Sequence, residues 1–406
     1  MRNVLLTFCN VSWQKGSAAQ VISLASQVQK IRPGTQLTLL SHCADLDKSP
    51  AEQLGIKVAG YPPGGSVNQR SVHLMWLRLR LTALSRYYRQ SPLTKDAVAA
   101  AYRNADLVLD MSGDSYRDPP GGRSFPHNAN ILACRALQIP CAIVSQSMGP
   151  FSWHARTLTR HALNGLQSIY VRERRSIRIL ERLGVRTELL QLAPDIAFVL
   201  PPATEAEVDD VFAREFHTVV LPRPWVGIST NAFLSSRTFG SLQLDAQFIR
   251  LVSHIHRKLR GTIFLIPHVI IPNKFDDLKA AENISTILGR PAWLHCLKGN
   301  YGPSLLKGVI ARCDAFVASR LHAGIAALSS AVPTMMASWS HKYEGLMEQV
   351  GIPEYVWNLQ TLRVGSEEIF DRLWQHRAAV HAQLESFNIT AEAEIQKCLS
   401  RILSGA

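Results

Sequence analysis

At 406 residues the chain exceeds what one ordinary hydrophobic core supports, so two domains are expected. With 47% hydrophobic and 18% charged residues it reads as globular rather than disordered, and no uncharged apolar run is long enough for a membrane-spanning helix. The formal charge of +13 favours an anionic partner, either a phosphorylated metabolite or an anionic membrane surface; nucleic acid is disfavoured because no basic run interleaved with aromatics forms a binding motif.

The apolar stretch before Asn10 is too short for the core of a secretory signal and reads as a first β-strand, which makes the expected location cytoplasmic. Further strands are expected at 36–40, 107–111, 141–145, 168–171 and 187–190. Helical patterns lie between them, for example at 17–30 and 174–183, the second stopped by Gly184 in a left-handed conformation. The densest basic segment, 70–89, carries Arg78, Arg80, Arg86 and Arg89 beside Trp76, Tyr87 and Tyr88. Its apolar residues spread around most of a helix, so a partly buried domain helix with exposed arginine tips is preferred. A helix making peripheral contact at the inner face of the membrane stays open, and would suit a lipid-linked substrate.

Proline clusters at Pro201-Pro202 and Pro222-Arg223-Pro224 bracket a linker. A second alternation follows, with strands at 225–229, 261–266, 315–319 and 334–337 and helices at 244–259, 304–312, 321–330 and 341–350. A final helical stretch runs over 367–403. The fold class is therefore α/β: two Rossmann-like, doubly wound parallel-sheet domains facing across a cleft. The expected boundaries are 1–200 for an N-terminal Rossmann-like domain, 201–224 for the linker, 225–375 for a C-terminal Rossmann-like domain and 376–406 for a terminal helix. Ligands of such sheets sit beyond the C-terminal strand ends, so chemistry is sought in the turns 8–17, 111–118, 145–152, 230–237, 267–274 and 319–323.

The seven cysteines are scattered without a C-x-x-C pair, which disfavours a zinc ribbon or a dithiol redox site. The histidines are dispersed too, so no metal site is expected; Asp276-Asp277 reads as an exposed helix start in preference to a cation site. The strongest constellation is Ser319-Arg320-Leu321-His322, where an apolar strand meets a polar turn and an apolar helix begins at once. Arg320 and His322 thus fall at a helix N-terminus, whose amides and dipole favour an anion. The arginine can take a carboxylate or phosphate by two parallel hydrogen bonds, and the histidine can move a proton near neutral pH. His268 and Lys342 are expected at C-terminal strand edges of the same domain.

That turn, followed by an apolar helix, Pro333 and Lys342, resembles the C-terminal signature of polysaccharide pyruvyl transferases. So do the segments 305–314, Ile266-Pro267-His268 with Asp276-Asp277, Gln146-Ser147-Met148-Gly149-Pro150, 171–176 running into Leu183-Gly184-Val185, and Asp195-Ile196-Ala197-Phe198. The resemblance implies a GT-B-like fold, that of two-domain glycosyltransferases, with 1–200 on the acceptor side and 225–375 binding the donor, and an enzyme that moves the enolpyruvyl group of phosphoenolpyruvate onto two sugar hydroxyls as a ketal, releasing phosphate. The sugar would belong to a cell-envelope polysaccharide or to its lipid- or nucleotide-linked precursor. Phosphoenolpyruvate is a co-substrate, and no cofactor is implied. Carried over by motif, Ser319, Arg320, Leu321 and His322 hold the donor, helped by His268 and Lys342 and by Arg172 as a second cation. His322 is the first candidate for proton handling, and Asp114 or Asp118 for orienting or deprotonating the acceptor. Asn10, Gly113, Gln146 and Ser147 are expected against the acceptor.

The departures from the family pattern lie in the first domain. Segment 111–118 has one glycine where a Gly-rich run is usual, and the turn 10–17 lacks a Gly-Asp pair. Two alternatives remain open: a GT-B-type glycosyltransferase using a nucleotide sugar, and a catalytically inactive homologue serving as a binding subunit. Nicotinamide chemistry is disfavoured, because no G-x-G-x-x-G follows the first strand.

Overall fold

The computed structural model describes residues 2–60, 97–118, 124–216, 221–232, 244–270, 276–361 and 364–405. The basic segment 70–89 and parts of the turns 230–237 and 267–274 lie outside the described residues. The chain divides into two compact units. Unit 1 comprises Met1–Ser12, Gln20–Ile196 and Ala393–Ala406, and unit 2 comprises Trp13–Ala19 and Ala197–Glu392.

In unit 1 the elements run β1 (Asn3–Thr7), α1 (Lys15–Ile31, whose start through Ala19 belongs to unit 2), β2 (Gln36–Ser41), α2 (Ala44–Gln53), β3 (Lys57–Gly60), α3 (Ala97–Arg103), β4 (Leu107–Asp110), α4 (Ser124–Ala136), β5 (Cys141–Gln146), α5 (Trp153–Leu163), β6 (Ser168–Val171), α6 (Arg174–Leu183) and β7 (Leu190–Leu192). All pair in parallel in the order β3-β2-β1-β4-β5-β6-β7. Strands β4, β5 and β6 are buried throughout, as strands covered by helices on both faces must be. Their side chains pack with Tyr102, Leu132, Leu163 and Leu180 from the helices into one core. Helix α6 ends at Gly184 with φ of 84°, the left-handed stop expected from the sequence.

The stretch expected as a linker carries a helix of its own, α7 (Glu205–Phe216), which belongs to unit 2. Its Val208, Val211 and Phe216 are buried, and the Phe212 ring stacks on Trp225 at 5.2 Å. The prolines flank this amphipathic helix and do not mark a free tether. Unit 2 continues with β8 (Trp225–Ser229), α8 (Leu244–Leu259), β9 (Thr262–Ile266), α9 (Asp277–Ile287), β10 (Leu294–Cys296), α10 (Pro303–Ala311), β11 (Ala315–Ala318), α11 (Leu321–Leu328), β12 (Thr334–Ser338), α12 (His341–Gln349), β13 (Val356–Asn358) and α13 (Ser366–Gln375). The last helix, α14 (Arg377–Ser404), begins in unit 2 and ends in unit 1. The second sheet is also parallel, in the order β10-β9-β8-β11-β12-β13.

Both units are thus doubly wound α/β sheets. In each, the strand order reverses once: between β1 and β4 in unit 1, and between β8 and β11 in unit 2. Crevices for ligands open at such switch points, beyond the C-terminal strand ends. Among the described residues, no helix is long and apolar enough to cross a membrane.

Candidate active site

The switch point of unit 2 is built by β8 and β11. Strand β11 is buried throughout, and the chain leaves it through Ser319 to Arg320, which caps α11 in an extended conformation. Ser229, at the end of β8, pins this exit. Its hydroxyl oxygen accepts the N–H groups of Ser319 at 2.8 Å and Arg320 at 3.2 Å, while Ser319 Oγ donates to the Ser229 carbonyl at 2.6 Å. The Ser319 carbonyl in turn accepts from Asn231 Nδ2 at 2.9 Å, the Tyr343 hydroxyl at 3.1 Å and Trp339 Nε1 at 3.3 Å. Ser319, expected from the sequence among the donor-binding residues, is fully buried, and its hydrogen bonds shape the turn.

Arg320 is held from below by Asp277, the first residue of α9. Nε donates to Oδ2 at 3.0 Å and Nη2 to Oδ1 at 2.5 Å. Asp277 is completely buried and also accepts the backbone N–H groups of Ala232 at 2.9 Å, Val269 at 2.9 Å and His268 at 3.3 Å. A buried carboxylate is tolerated only when paired and saturated with donors in this way. The expected exposed helix start applies to Asp276 alone, whose side chain accepts from Leu278 and Lys279 as the N-cap, while Asp277 turns inward. The fork geometry leaves Arg320, 18% exposed at its side chain, with a fixed direction. Its Nη1 edge carries two further N–H groups at the N-terminus of α11.

His322 is the second residue of α11, and Leu321 before it is buried. The imidazole lies close against the backbone of Gly16, where an added Cβ would sit 2.2 Å from Nδ1. Only glycine permits that approach. His268 is buried beyond the end of β9, with Nδ1 3.3 Å from the Ile266 carbonyl. Burial pushes its pKa down to about 4, so at neutral pH it is an uncharged hydrogen-bonding group and adds no positive charge. Lys342 stands at the start of α12, its Nζ 5.3 Å from the ring centre of Trp339, which reaches the same Ser319 carbonyl. Arg320, His322, His268 and Lys342 are therefore gathered around one strand edge of unit 2.

The residues expected in the first half are arranged differently. Arg172 is 5% exposed, with Nη1 2.5 Å from Asp195 Oδ2 and Nε 2.8 Å from Ser147 Oγ. Burial opposes its charge, but Asp195, Glu173 and Asp114 outweigh that and raise its pKa. It is thus the cation of a buried pair inside unit 1, where the sequence reading places a second cation for the donor. Ser147 is likewise internal, donating to Glu173 Oε2 at 3.1 Å. Gln146 is fully buried and clasps Asp110, with Nε2 donating to the Asp110 carbonyl at 2.8 Å and to Oδ1 at 2.6 Å. It supports the sheet edge from beneath and does not meet solvent as an acceptor ligand would. Asp118 accepts from Ser124 Oγ and, through Oδ2, from Ser152 N–H at 3.0 Å and Ser152 Oγ at 2.9 Å. Burial works against its charge, but these donors prevail and lower its pKa. Asp118, a candidate from the sequence for orienting or deprotonating the acceptor, therefore joins the starts of α4 and α5. Asp114 and Gly113 are partly exposed, Gly113 with φ of 70°, and Asn10 is 9% exposed.

The model of one protein family, polysaccharide pyruvyl transferase, matches residues 15–341, which takes in Gly16, His268, Asp277, Arg320 and His322. The amylovoran biosynthesis protein AmsJ of Erwinia amylovora is 20% identical over 272 residues, 64% of this chain and 63% of that protein, so the match spans less than two thirds of the relative. Among solved structures, Anabaena HepE in complex with UDP superposes with a TM-score of 0.59 at 14% identity over 100% of both chains. A Rickettsia africae glycosyltransferase gives 0.60 at 10% identity, over 100% of this chain and 98% of that one. The UDP-GlcNAc 2-epimerase of Neisseria meningitidis gives 0.58 at 12%, over 95% and 94%. At such identities these neighbours show the fold alone, that of two-domain GT-B-like glycosyltransferases and epimerases. The family model covers most of the chain and includes both ends of the Arg320–Asp277 pair, and on that ground the chain belongs to the polysaccharide pyruvyl transferase family.

Proposed function

We propose that the protein transfers the enolpyruvyl group of phosphoenolpyruvate onto two hydroxyls of a sugar in a polysaccharide or its lipid- or nucleotide-linked precursor, forming a pyruvate ketal and releasing phosphate. The observation that carries this reading is the guanidinium of Arg320, fixed by buried Asp277 at the N-terminus of α11 with His322 two residues further along. A donor bearing a carboxylate and a phosphate needs directed positive charge, and Arg320 Nη1, the first amides of α11 and Lys342 supply it.

In the transfer, the methylene carbon of the donor takes a proton and becomes the methyl group. A sugar hydroxyl attacks the resulting electron-poor carbon, phosphate departs, and the second hydroxyl closes the ring. His322 is the proton donor in this scheme, since an imidazole can deliver a proton near neutral pH. His268 stays neutral beside Arg320 and acts as a hydrogen-bonding wall of the donor pocket.

A second reading, nucleotide-sugar transfer, draws on fold neighbours solved with UDP. One assay separates the two. Purified protein is incubated with phosphoenolpyruvate and a panel of methyl glycopyranosides, with inorganic phosphate and ketal product measured; a parallel panel with nucleotide sugars measures free nucleotide. Acceptor-dependent phosphate release is expected, lowered at least about 100-fold in Arg320→Met. Nucleotide release without phosphate release would overturn the proposal. Calorimetry that detects no phosphoenolpyruvate binding would favour a non-catalytic binding subunit instead.

A further inference from the structure

We infer that Asp110, His127 and Ser115 of unit 1 form a proton relay that deprotonates a sugar hydroxyl bound at the C-terminal edge of the seven-stranded sheet; the choice of substrate rests on the sugar acceptor proposed above. Asp110 is the last residue of β4 and pairs in register with Thr7 of β1, so it lies at the switch point of unit 1. Its Oδ1 accepts from Gln146 Nε2 at 2.6 Å and from the Ser112 N–H at 3.2 Å, and its Oδ2 is 2.7 Å from His127 Nδ1. A carboxylate can only accept, so the imidazole carries its hydrogen on Nδ1. Nε2 is then the lone-pair side, and Ser115 Oγ lies 3.0 Å from it, donating. The same order of carboxylate, imidazole and hydroxyl activates a serine wherever it occurs, whatever the fold.

Two further observations set this chain of groups apart from an ordinary satisfied core histidine. The imidazole is clamped between two rings, Tyr116 stacked at 4.6 Å and 18° and Phe8 at 4.1 Å. Phe8 adopts φ of 60°, a left-handed conformation unfavourable for a bulky residue, at the point where its ring meets His127. Strained backbone of this sort persists where surrounding structure imposes it, and it clusters at functional sites. The second observation is the burial gradient. The Asp110 side chain is 0% exposed and that of His127 2%, whereas Ser115 is partly exposed, so its hydroxyl is the outlet of the chain.

The proton movement balances. A sugar hydroxyl bonded to Ser115 Oγ passes its proton to that oxygen while the proton of Ser115 moves to His127 Nε2. The electron pair stays on the sugar oxygen, which is thereby made nucleophilic. Asp110 remains ionised and stabilises the imidazolium through Nδ1–H. The extra proton then leaves through Ser115 to water, restoring the starting state.

The test uses the full chain with Ser115→Ala, His127→Gln and Asp110→Asn. In phosphate release from phosphoenolpyruvate with the most active glycopyranoside of the panel, kcat should fall about 100-fold or more in Ser115→Ala and His127→Gln, with KM for phosphoenolpyruvate unchanged. Independently of turnover, histidine-selective NMR should find a low-field Nδ1–H proton in the wild type that is lost in Asp110→Asn. Wild-type kcat in Ser115→Ala or His127→Gln overturns the relay. So does a stoichiometric burst on p-nitrophenyl acetate that acylates Ser115, because it would assign a nucleophile. If the wild type turns over no phosphoenolpyruvate with any acceptor, the transfer reading fails. The relay then stands if the low-field proton is present and lost in Asp110→Asn, and falls if it is absent.

Discussion

Replacing Asp277 by Asn removes one charge and turns one of two acceptor oxygens into an N–H donor, with almost no change in volume. Oδ1 accepts from Arg320 Nη2 and the Ala232 N–H, and Oδ2 accepts from Arg320 Nε and the N–H groups of His268 and Val269. Whichever way the amide is turned, its NH2 faces at least two donors. Breaking a buried ion pair from one side costs about 3–5 kcal/mol, because the other partner is left uncompensated. For a folding unit of 150–250 residues, at about 2–4 °C per kcal/mol, Asp277→Asn should lower the unfolding midpoint of unit 2 by roughly 6–20 °C in calorimetry. Arg320→Met should cost a similar amount, since it strands Asp277. The double variant should cost less than the sum by about 1.5–3 kcal/mol, the size of the charge-assisted bonds that the two residues share. Because the pair sets the direction of the guanidinium, Asp277→Asn should also weaken phosphoenolpyruvate binding in calorimetry of the folded protein. A variant that unfolds within 2 °C of wild type and binds the donor unchanged would refute the claim that Asp277 anchors the site.

Two other perturbations probe the same edge. Gly16→Ala places a methyl group 2.2 Å from His322 Nδ1, so either the imidazole or the first turn of α1 must move. We expect kcat for phosphate release to fall by about 10²–10⁴, the range for a displaced general acid, against an overpacking cost of only about 1–3 kcal/mol; wild-type kcat would show that His322 does not carry the proton. His268 has a folded pKa of about 4 against 6.5 when free, so the folded state prefers the neutral imidazole. The associated stability, about 3 kcal/mol, is complete above pH 6.5 and is lost as the pH falls towards 4. Urea unfolding at pH 7, 5.5 and 4.5 should show this loss in wild type and a shallower one in His268→Gln; parallel pH dependence in the two proteins would contradict it.

Local pattern carried much of this protein's organisation. Each central strand is a short apolar run buried on both faces, and each ends in a polar turn, so alternation alone predicts two parallel sheets and the position of Ser319-Arg320-Leu321-His322. The edge strands β3, β10 and β13 carry no such signal because, unlike the equally short β4, β6 and β11, they are only partly buried and lack a continuous apolar run. The helix α7 was hidden by its flanking prolines, which read as a linker until its apolar face was seen packed on Trp225.

What decided the site was pairing between residues far apart in the chain. Asp277 and Arg320 are separated by 43 positions, Arg172 and Asp195 by 23, and Asp110 and His127 by 17. An isolated acidic residue after a helix cap looks exposed, and an arginine in a motif looks available, until burial shows which charges must neutralise each other. Periodicity is a property of neighbours along the chain, and it determined the two folds and the place of the Ser319-Arg320-Leu321-His322 turn. Charge pairing and the close approach of Gly16 to His322 are properties of neighbours in space. Tertiary structure alone therefore set Arg320 against Asp277, paired Arg172 with Asp195 inside unit 1 and brought Asp110, His127 and Ser115 into line.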